Sequence, residues 1–233
     1  MFQLIIDFIK NLLGTKPNGI NGLPKEPYEE SNIEIIYEPE IIIEKPIKEV
    51  KTKVMTEISK YVTLAEVMHS NTAIAKGIDN TPTDEQLELI REVAVNVFDP
   101  LREHTGGPIK INSAYRGPAL NKEIGGSKTS QHCVGLDKTK NSYGAAIDID
   151  DEYWKRDRNT FNNTEMGDWI RENLDTDQLI YEKPINGYPS WIHVSYRPDG
   201  KNRNEVLIYL GKGKGYIPYY GNEHLIKNPD LDQ

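Results

Sequence analysis

One cysteine, Cys133, in 233 residues leaves no internal disulfide and no cysteine-rich zinc cluster. That scarcity fits synthesis in a reducing compartment. The chain has no apolar run approaching the ~20 residues needed to span a bilayer. Its start, Met1 to Leu13, is apolar but carries Asp7 and Lys10. It has neither the leading basic region nor the small-residue cleavage site of a secretory signal. Basic excess is missing too. Lys and Arg number 28 against 36 Asp and Glu, a net charge of -8. Nucleic acid is therefore not expected as a main partner, since phosphate binding needs a basic surface. Hydrophobic residues make up 37% of the chain and the mean hydropathy is -0.62, so part of it is expected to lie outside a packed core. No internal repeat is visible.

Composition divides what remains into three regions. In residues 1–14, Phe2, Ile5, Ile6, Ile9, Leu12 and Leu13 recur at helical spacing and Gly14 ends the run. This predicts an amphipathic helix packed on its own protein or a neighbour. Docking to a larger assembly or a membrane surface is the sharper alternative, and the polar face lacks the basic enrichment that interfacial helices use. Residues 15–54 read as a linker, interrupted by Pro17, Pro24, Pro27, Pro39 and Pro46, with Glu34 to Ile43 as an isolated edge-strand candidate. Residues 55–233 carry the pattern of a compact domain.

Within that domain Thr83 and Gln86 form a capping-box signature. Leu87, Ile90, Val93, Ala94, Val97, Phe98 and Leu101 then make one apolar stripe, with Pro100 expected to kink the end of the helix. Gly106, Gly107 and Pro108 make a turn. Strands are predicted at Ile109 to Ser113, Ala145 to Asp150, Gln178 to Glu182, Trp191 to Tyr196 and Val206 to Leu210, with a helix around Glu165 to Leu174. The fold class is α+β, a mostly antiparallel central sheet with flanking helices.

Three short motifs concentrate the chemistry: Ser130-Gln131-His132, Gly144-Ala145-Ala146-Ile147-Asp148-Ile149 and Trp191-Ile192-His193-Val194-Ser195. Together they supply two imidazoles and a carboxylate, a ligand set suited to a catalytic zinc that keeps its fourth position open. Taken singly, a histidine beside Trp or Ile is usually a satisfied, partly buried side chain, and an Asp in Asp-Ile-Asp a turn or cap residue. Joint occurrence favours the metal. His69, His104 and His224 belong to no motif and are read as structural. His104 sits near a helix end, where an imidazolium suits the dipole.

With the segment before them, Ser113-Ala114-Tyr115-Arg116-Gly117-Pro118-Ala119-Leu120-Asn121 and Gly125-Gly126-Ser127-Lys128-Thr129-Ser130-Gln131-His132-Cys133, these motifs resemble the zinc D-Ala-D-Ala carboxypeptidase family. That family includes vancomycin-resistance dipeptidases and phage endolysin peptidases and shares its fold with the hedgehog signalling domain. The resemblance runs from about Tyr61 to Arg197, with all four blocks in family order. It implies a hedgehog-type α+β fold and Zn2+ held by His132, Asp148 and His193. It implies hydrolysis of a peptide bond in bacterial peptidoglycan, as carboxypeptidase or endopeptidase, in a phage lysin or virion peptidase. Its location would then be the host cytoplasm before lysis, or the virion. Arg116 matches an arginine that points into the site, where it would bind substrate and stabilise an oxyanion. Ser127 and Ser130 match polar positions that bind substrate, or else bond their own backbone. Cys133 follows a ligand and is expected to pack.

Two departures stand out. The family run is His-x-x-Gly-x-Ala-x-Asp, whereas sixteen positions separate His132 from Asp148. Leu136 to Tyr143 reads as a polar loop inserted between ligand and strand, with Asp137 as the competing ligand. Many relatives also place an acid three residues before the last histidine, where this chain has Ser190. A zinc peptidase needs a carboxylate that takes a proton from water and returns it to the leaving amine. Glu182, closing the strand Gln178 to Glu182, is the candidate base. Asp150 and Asp151 are the runners-up. The missing acid also keeps open a catalytically inactive binding or adaptor module of the same fold.

Overall fold

The computed structural model describes residues 57–152 and 161–221. The predicted N-terminal helix at 1–14, the whole linker at 15–54 with its edge-strand candidate, and His224 lie outside the described residues. Among the described residues five helices and a strand come first: α1 Leu64–Met68, α2 Asn71–Lys76, α3 Asp84–Val93, α4 Asp99–Thr105, β1 Lys110–Ser113 and α5 Pro118–Glu123. A 3-10 turn, Gln131–Cys133, leads towards β2 Ala145–Asp150. Then follow α6 Asn163–Asn173, β3 Gln178–Glu182, β4 Trp191–Tyr196, β5 Glu205–Tyr209 and β6 Tyr216–Pro218. The six strands make one sheet in the order β1-β2-β4-β3-β5-β6. Every pairing is antiparallel except β3 with β5.

Local chemistry starts the helices where sequence places them. Thr83 and Gln86 close a capping box on α3, as Thr63 with Glu66 does on α1 and Asn162 with Glu165 on α6. The stripe from Leu87 to Leu101 is buried throughout. Pro100 lies in the first turn of α4, near the end of this helical run. A π-helical turn, Ala94–Phe98, precedes it and the chain continues as α4 to Thr105. Proline is tolerated in the first turn of a helix, where its missing N–H is one of the unpaired donors anyway. Strand β5 runs one residue earlier than expected at both ends, because its pairing with β3 starts at Glu205 opposite Gln178.

The sheet has two unlike faces because side chains alternate along each strand. Ile147, Ile149, Leu179, Tyr181, Ile192, Val194 and Ile208 point to one face and join Leu87, Ile90, Val93, Met166 and Ile170 in a single core. Each such side chain contributes roughly 1.5–3 kcal/mol on burial. The residues between them, Asp148, His193, Ile180, Glu182, Leu207 and Tyr209, point to the other face and line a cleft of about 940 Å³. One alternating pattern thus builds both the core and the cleft floor.

The insertion is closed at its neck. Gly144 N donates to Gly135 O at 3.1 Å, and the two glycines bridge as in an antiparallel pair. Residues 136–143 therefore leave and return at one point, and the spatial relation of His132 to β2 does not need the short spacing. Arg197 anchors the loop by donating to the carbonyls of Lys140 at 2.8 Å and Lys138 at 3.4 Å. Both glycines are required by close approach. A Cβ at Gly135 would lie 2.1 Å from Ser142 O, and one at Gly144, where φ is +101°, 2.2 Å from Tyr196 O. Gly144→Ala is expected to cost more than about 1 kcal/mol, because both conformation and space oppose a side chain. Gly125→Ala, also at positive φ but facing open space, should cost less. Urea midpoints test this, and a Gly144→Ala midpoint equal to wild type would contradict it.

Candidate metal centre

Three elements converge on one end of the cleft. His132 comes from the 3-10 turn, Asp148 from β2 and His193 from β4, where Asp148 and His193 are paired neighbours. One ligand atom from each lies within 4.8 Å of the others. His132 Nε2 is 3.0 Å from Asp148 Oδ1 and 3.1 Å from His193 Nδ1, and His193 Nδ1 is 2.9 Å from the same Oδ1. The other nitrogen of His132, Nδ1, sits 2.8 Å from Ala114 O. A carbonyl only accepts, so Nδ1 carries the hydrogen and the neutral ring presents a lone pair at Nε2.

The protonation states suit a cation. Burial, the largest influence on His132, outweighs the attraction of Asp148 and lowers the imidazole pKa, which favours the neutral ring. Burial alone would raise Asp148. His132 and His193 outweigh it and hold the carboxyl well below the ordinary carboxylate range. Two ring nitrogens and a carboxylate oxygen then face one another, and a proton or a metal ion among them relieves their mutual repulsion. Their spacings of 2.9 to 3.1 Å approach the ~3.3 Å edge of a tetrahedron with bonds of about 2.0 Å. The residues present therefore fit a metal ion, with two nitrogens and one oxygen as its ligands.

Backbone strain marks the same place. Val134, two residues after His132, is buried with φ of 51°. A β-branched residue in the left-handed region costs roughly 1–3 kcal/mol and is held there by its surroundings. Arg116 N donates to His132 O at 2.9 Å, which ties the two loops together. On β1 the register shifts between Ile111 and Ser113, beside Asp148. Such a bulge re-aims the strand next to a site.

The remaining predicted residues fall into two groups. Arg116 and Glu182 line the cleft with the triad. Arg116 Nη2 lies 3.6 Å from Asp148 Oδ2, and its buried Nε has no hydrogen-bond partner, leaving a donor for a ligand. Glu182 is half-buried on the same sheet face as His193, opposite Trp191. Burial pushes its pKa up to about 7. Asp148 adds to this, while His193, Lys183 and Arg116 oppose it. A carboxylate poised near neutral can both accept and return a proton.

Ser127 and Ser130 also line the cleft. Ser127 Oγ is engaged in its own loop, 3.0 Å from Thr129 Oγ1 and accepting from Thr129 N. Asp137 is apart from the triad. It is exposed and accepts from Thr139 N and Oγ1 in a tight turn. Asp150 accepts from Asn112, and Asp151 accepts from Asn163 N outside the cleft. Ser190 Oγ donates to Lys183 O. Cys133 is half-buried, its thiol pKa raised by burial, which disfavours thiolate chemistry. His104 stacks on Trp169 with ring centroids 4.5 Å apart, and His69 lies exposed at the cleft rim.

Sequence reasoning gave no role to Gln131, Asp177 or Arg203. Gln131 Nε2 donates to Asp177 Oδ2 at 2.9 Å, and Arg203 grips the fully buried Asp177 at 2.9 and 2.8 Å. This holds the turn that carries His132 against β3. Nor did it find Tyr209 and Tyr216 on the cleft wall, because only the strand pairing brings them there.

A family model described as Peptidase M15 matches residues 60–195. No curated protein matches the chain.

Two outcomes follow from the geometry. Wild type should bind about one zinc per chain. His132→Ala and His193→Ala should lose most of it while Asp137→Ala keeps it, as read by elemental analysis after dialysis. Retention in the double histidine variant would rule the site out. In metal-free protein, Glu182 holds its proton more tightly folded than unfolded. Its contribution to stability is therefore full below pH 4.5 and is lost as pH rises through about 7. Glu182→Gln should then match wild type near pH 4 and be more stable by on the order of 2 kcal/mol near pH 8. Parallel denaturation curves at the two ends would contradict that.

Proposed function

The chain belongs to the Peptidase M15 family of metal-dependent peptidases, and from that premise we propose that it is a zinc peptidase cutting a peptide bond in bacterial peptidoglycan. The observation that carries this reading is the convergence of His132, Asp148 and His193 in a cleft that also holds Glu182 and Arg116. Zinc bound there supplies Lewis acidity towards the scissile carbonyl and lowers the pKa of water towards neutrality. The Glu182 carboxylate takes the water's proton and returns it to the leaving amine. The Arg116 guanidinium holds the carbonyl oxygen and stabilises negative charge as it develops. Ser130, half-buried at the cleft edge, and Ser127 orient the peptide backbone.

The proposed setting is a phage lysin or virion-associated peptidase. It is supported by likeness to phage endolysin peptidases across four motif blocks, and residues 1–14 are proposed to dock the protein on a larger assembly or membrane surface. The net charge of -8 supports a partner other than nucleic acid. A second reading, an inactive adaptor that keeps the metal, draws on Ser190, whose hydroxyl is committed to Lys183 O where relatives carry an acid.

Mass spectrometry of peptidoglycan digests separates the two. Wild type should release new peptide ends, and the fragments name the bond. Glu182→Gln should keep its metal and lose ~10²–10⁴ in turnover. Arg116→Ala should also keep metal and turn over more slowly. Zinc-loaded wild type that cleaves no wall peptide would favour the adaptor. Full activity in Glu182→Gln would move the base elsewhere.

A further inference from the structure

The cleft extends well beyond the triad, and its far wall is aromatic. Trp191, Glu182, Tyr209 and Tyr216 are in-register neighbours on β4, β3, β5 and β6. All four line the cleft. At ~4.8 Å per strand they form a row roughly 14 Å long. Tyr209 and Tyr216 lie with ring centroids 4.7 Å apart at an interplanar angle of 34°. Lys183 Nζ stands 5.0 Å from the Trp191 ring centroid. Tyr216 is 56% exposed. The hydroxyls of Tyr209 and Tyr216 make no hydrogen bond among the described residues. One step closer to the triad, Ile180 and Leu207 continue the floor.

We propose that this row is a saccharide subsite, which binds an N-acetylated amino sugar of the glycan strand that carries the cleaved peptide. The proposal rests on the peptidoglycan reading and adds that the substrate is taken while still attached to sugar. A pyranose ring offers an apolar C–H face and a rim of hydroxyl and acetamido groups. The row offers the complement: flat aromatic faces, with free phenol hydroxyls and an ammonium beside them. An aliphatic peptide side chain would need the apolar faces but leave that rim of polar groups without partners. The row also lies on one side of the triad only. On the β1 side the lining is mixed, with His69, Ser70, Lys110 and Asn112 beside Ile111 and Ile124, and carries no comparable aromatic row. A substrate with a sugar at one end and peptide at the other matches this division.

The probe is the soluble disaccharide N-acetylglucosaminyl-N-acetylmuramic acid, titrated into the metal-loaded full chain and followed by protein NMR. The expected result is saturable binding with shifts at Tyr209, Tyr216 and the Trp191 indole. Tyr216→Ala should weaken it at least tenfold and Tyr216→Phe, which keeps the ring, by no more than a few-fold. A protein-wide change in the Tyr216→Ala spectrum would mark misfolding, and Tyr209→Ala with Tyr216→Phe then carry the comparison. Absence of binding at 10 mM disaccharide, on the order of the weakest affinities worth assigning, overturns the proposal. So does Tyr216→Ala binding equal to wild type, or a free stem peptide that shifts the same three residues while the disaccharide does not. The readout is binding, so loss of the subsite and loss of peptidase activity are told apart: the wall digest reports only the second.

Discussion

Three buried acceptor atoms that face one another are the constraint on which the site depends. His132 Nε2, Asp148 Oδ1 and His193 Nδ1 stand 2.9 to 3.1 Å apart, and Ala114 O fixes the tautomer that turns the His132 lone pair inward. A hydrogen bond satisfies at most one edge of such a triangle, whereas a divalent cation satisfies all three. The surrounding structure holds the triangle rather than relieving it. Asp148 and His193 are fixed by strand pairing, and His132 by a turn locked through Gln131 to the buried Asp177–Arg203 pair. The fold thus presents the three ligand atoms already gathered, so that binding an ion needs little rearrangement.

The two-faced sheet links core and chemistry. Ile147 and Ile149 are buried on one side of β2 while Asp148, between them, faces the cleft; on β4, Ile192 and Val194 flank His193 in the same way. A register slip of one residue would exchange the faces, putting carboxylate and imidazole into the core. Site geometry is therefore protected by the same burial that stabilises the fold. Glu182 joins the site by this rule, since it shares a face with Ile180, the cross-strand partner of His193.

Much of this was legible in the sequence because the signals are local or periodic. The capping box at Thr83, the alternation around Asp148 and His193, and the strand ending at Glu182 depend on near neighbours alone. The family resemblance from Tyr61 to Arg197 and the match over residues 60–195 agree closely. What sequence did not disclose depends on distant pairing. The parallel contact of β3 with β5 brings Tyr209 beside Glu182, and no spacing along the chain encodes it. The inserted loop looked like a threat to the ligand set. Its neck at Gly135 and Gly144 shows why sixteen positions in sequence leave the ligands together in space. Nor does spacing disclose the π-helical turn Ala94–Phe98 ahead of Pro100, which the apolar stripe runs straight through.

The most direct test of the central claim is the zinc K-edge absorption fine structure of protein loaded with one equivalent of zinc. The account predicts a shell of nitrogen and oxygen at about 2.0–2.1 Å, with the scattering signature of two imidazoles and no sulfur. A sulfur shell near ~2.3 Å, which would enlist Cys133, or a shell without imidazole scattering would contradict it.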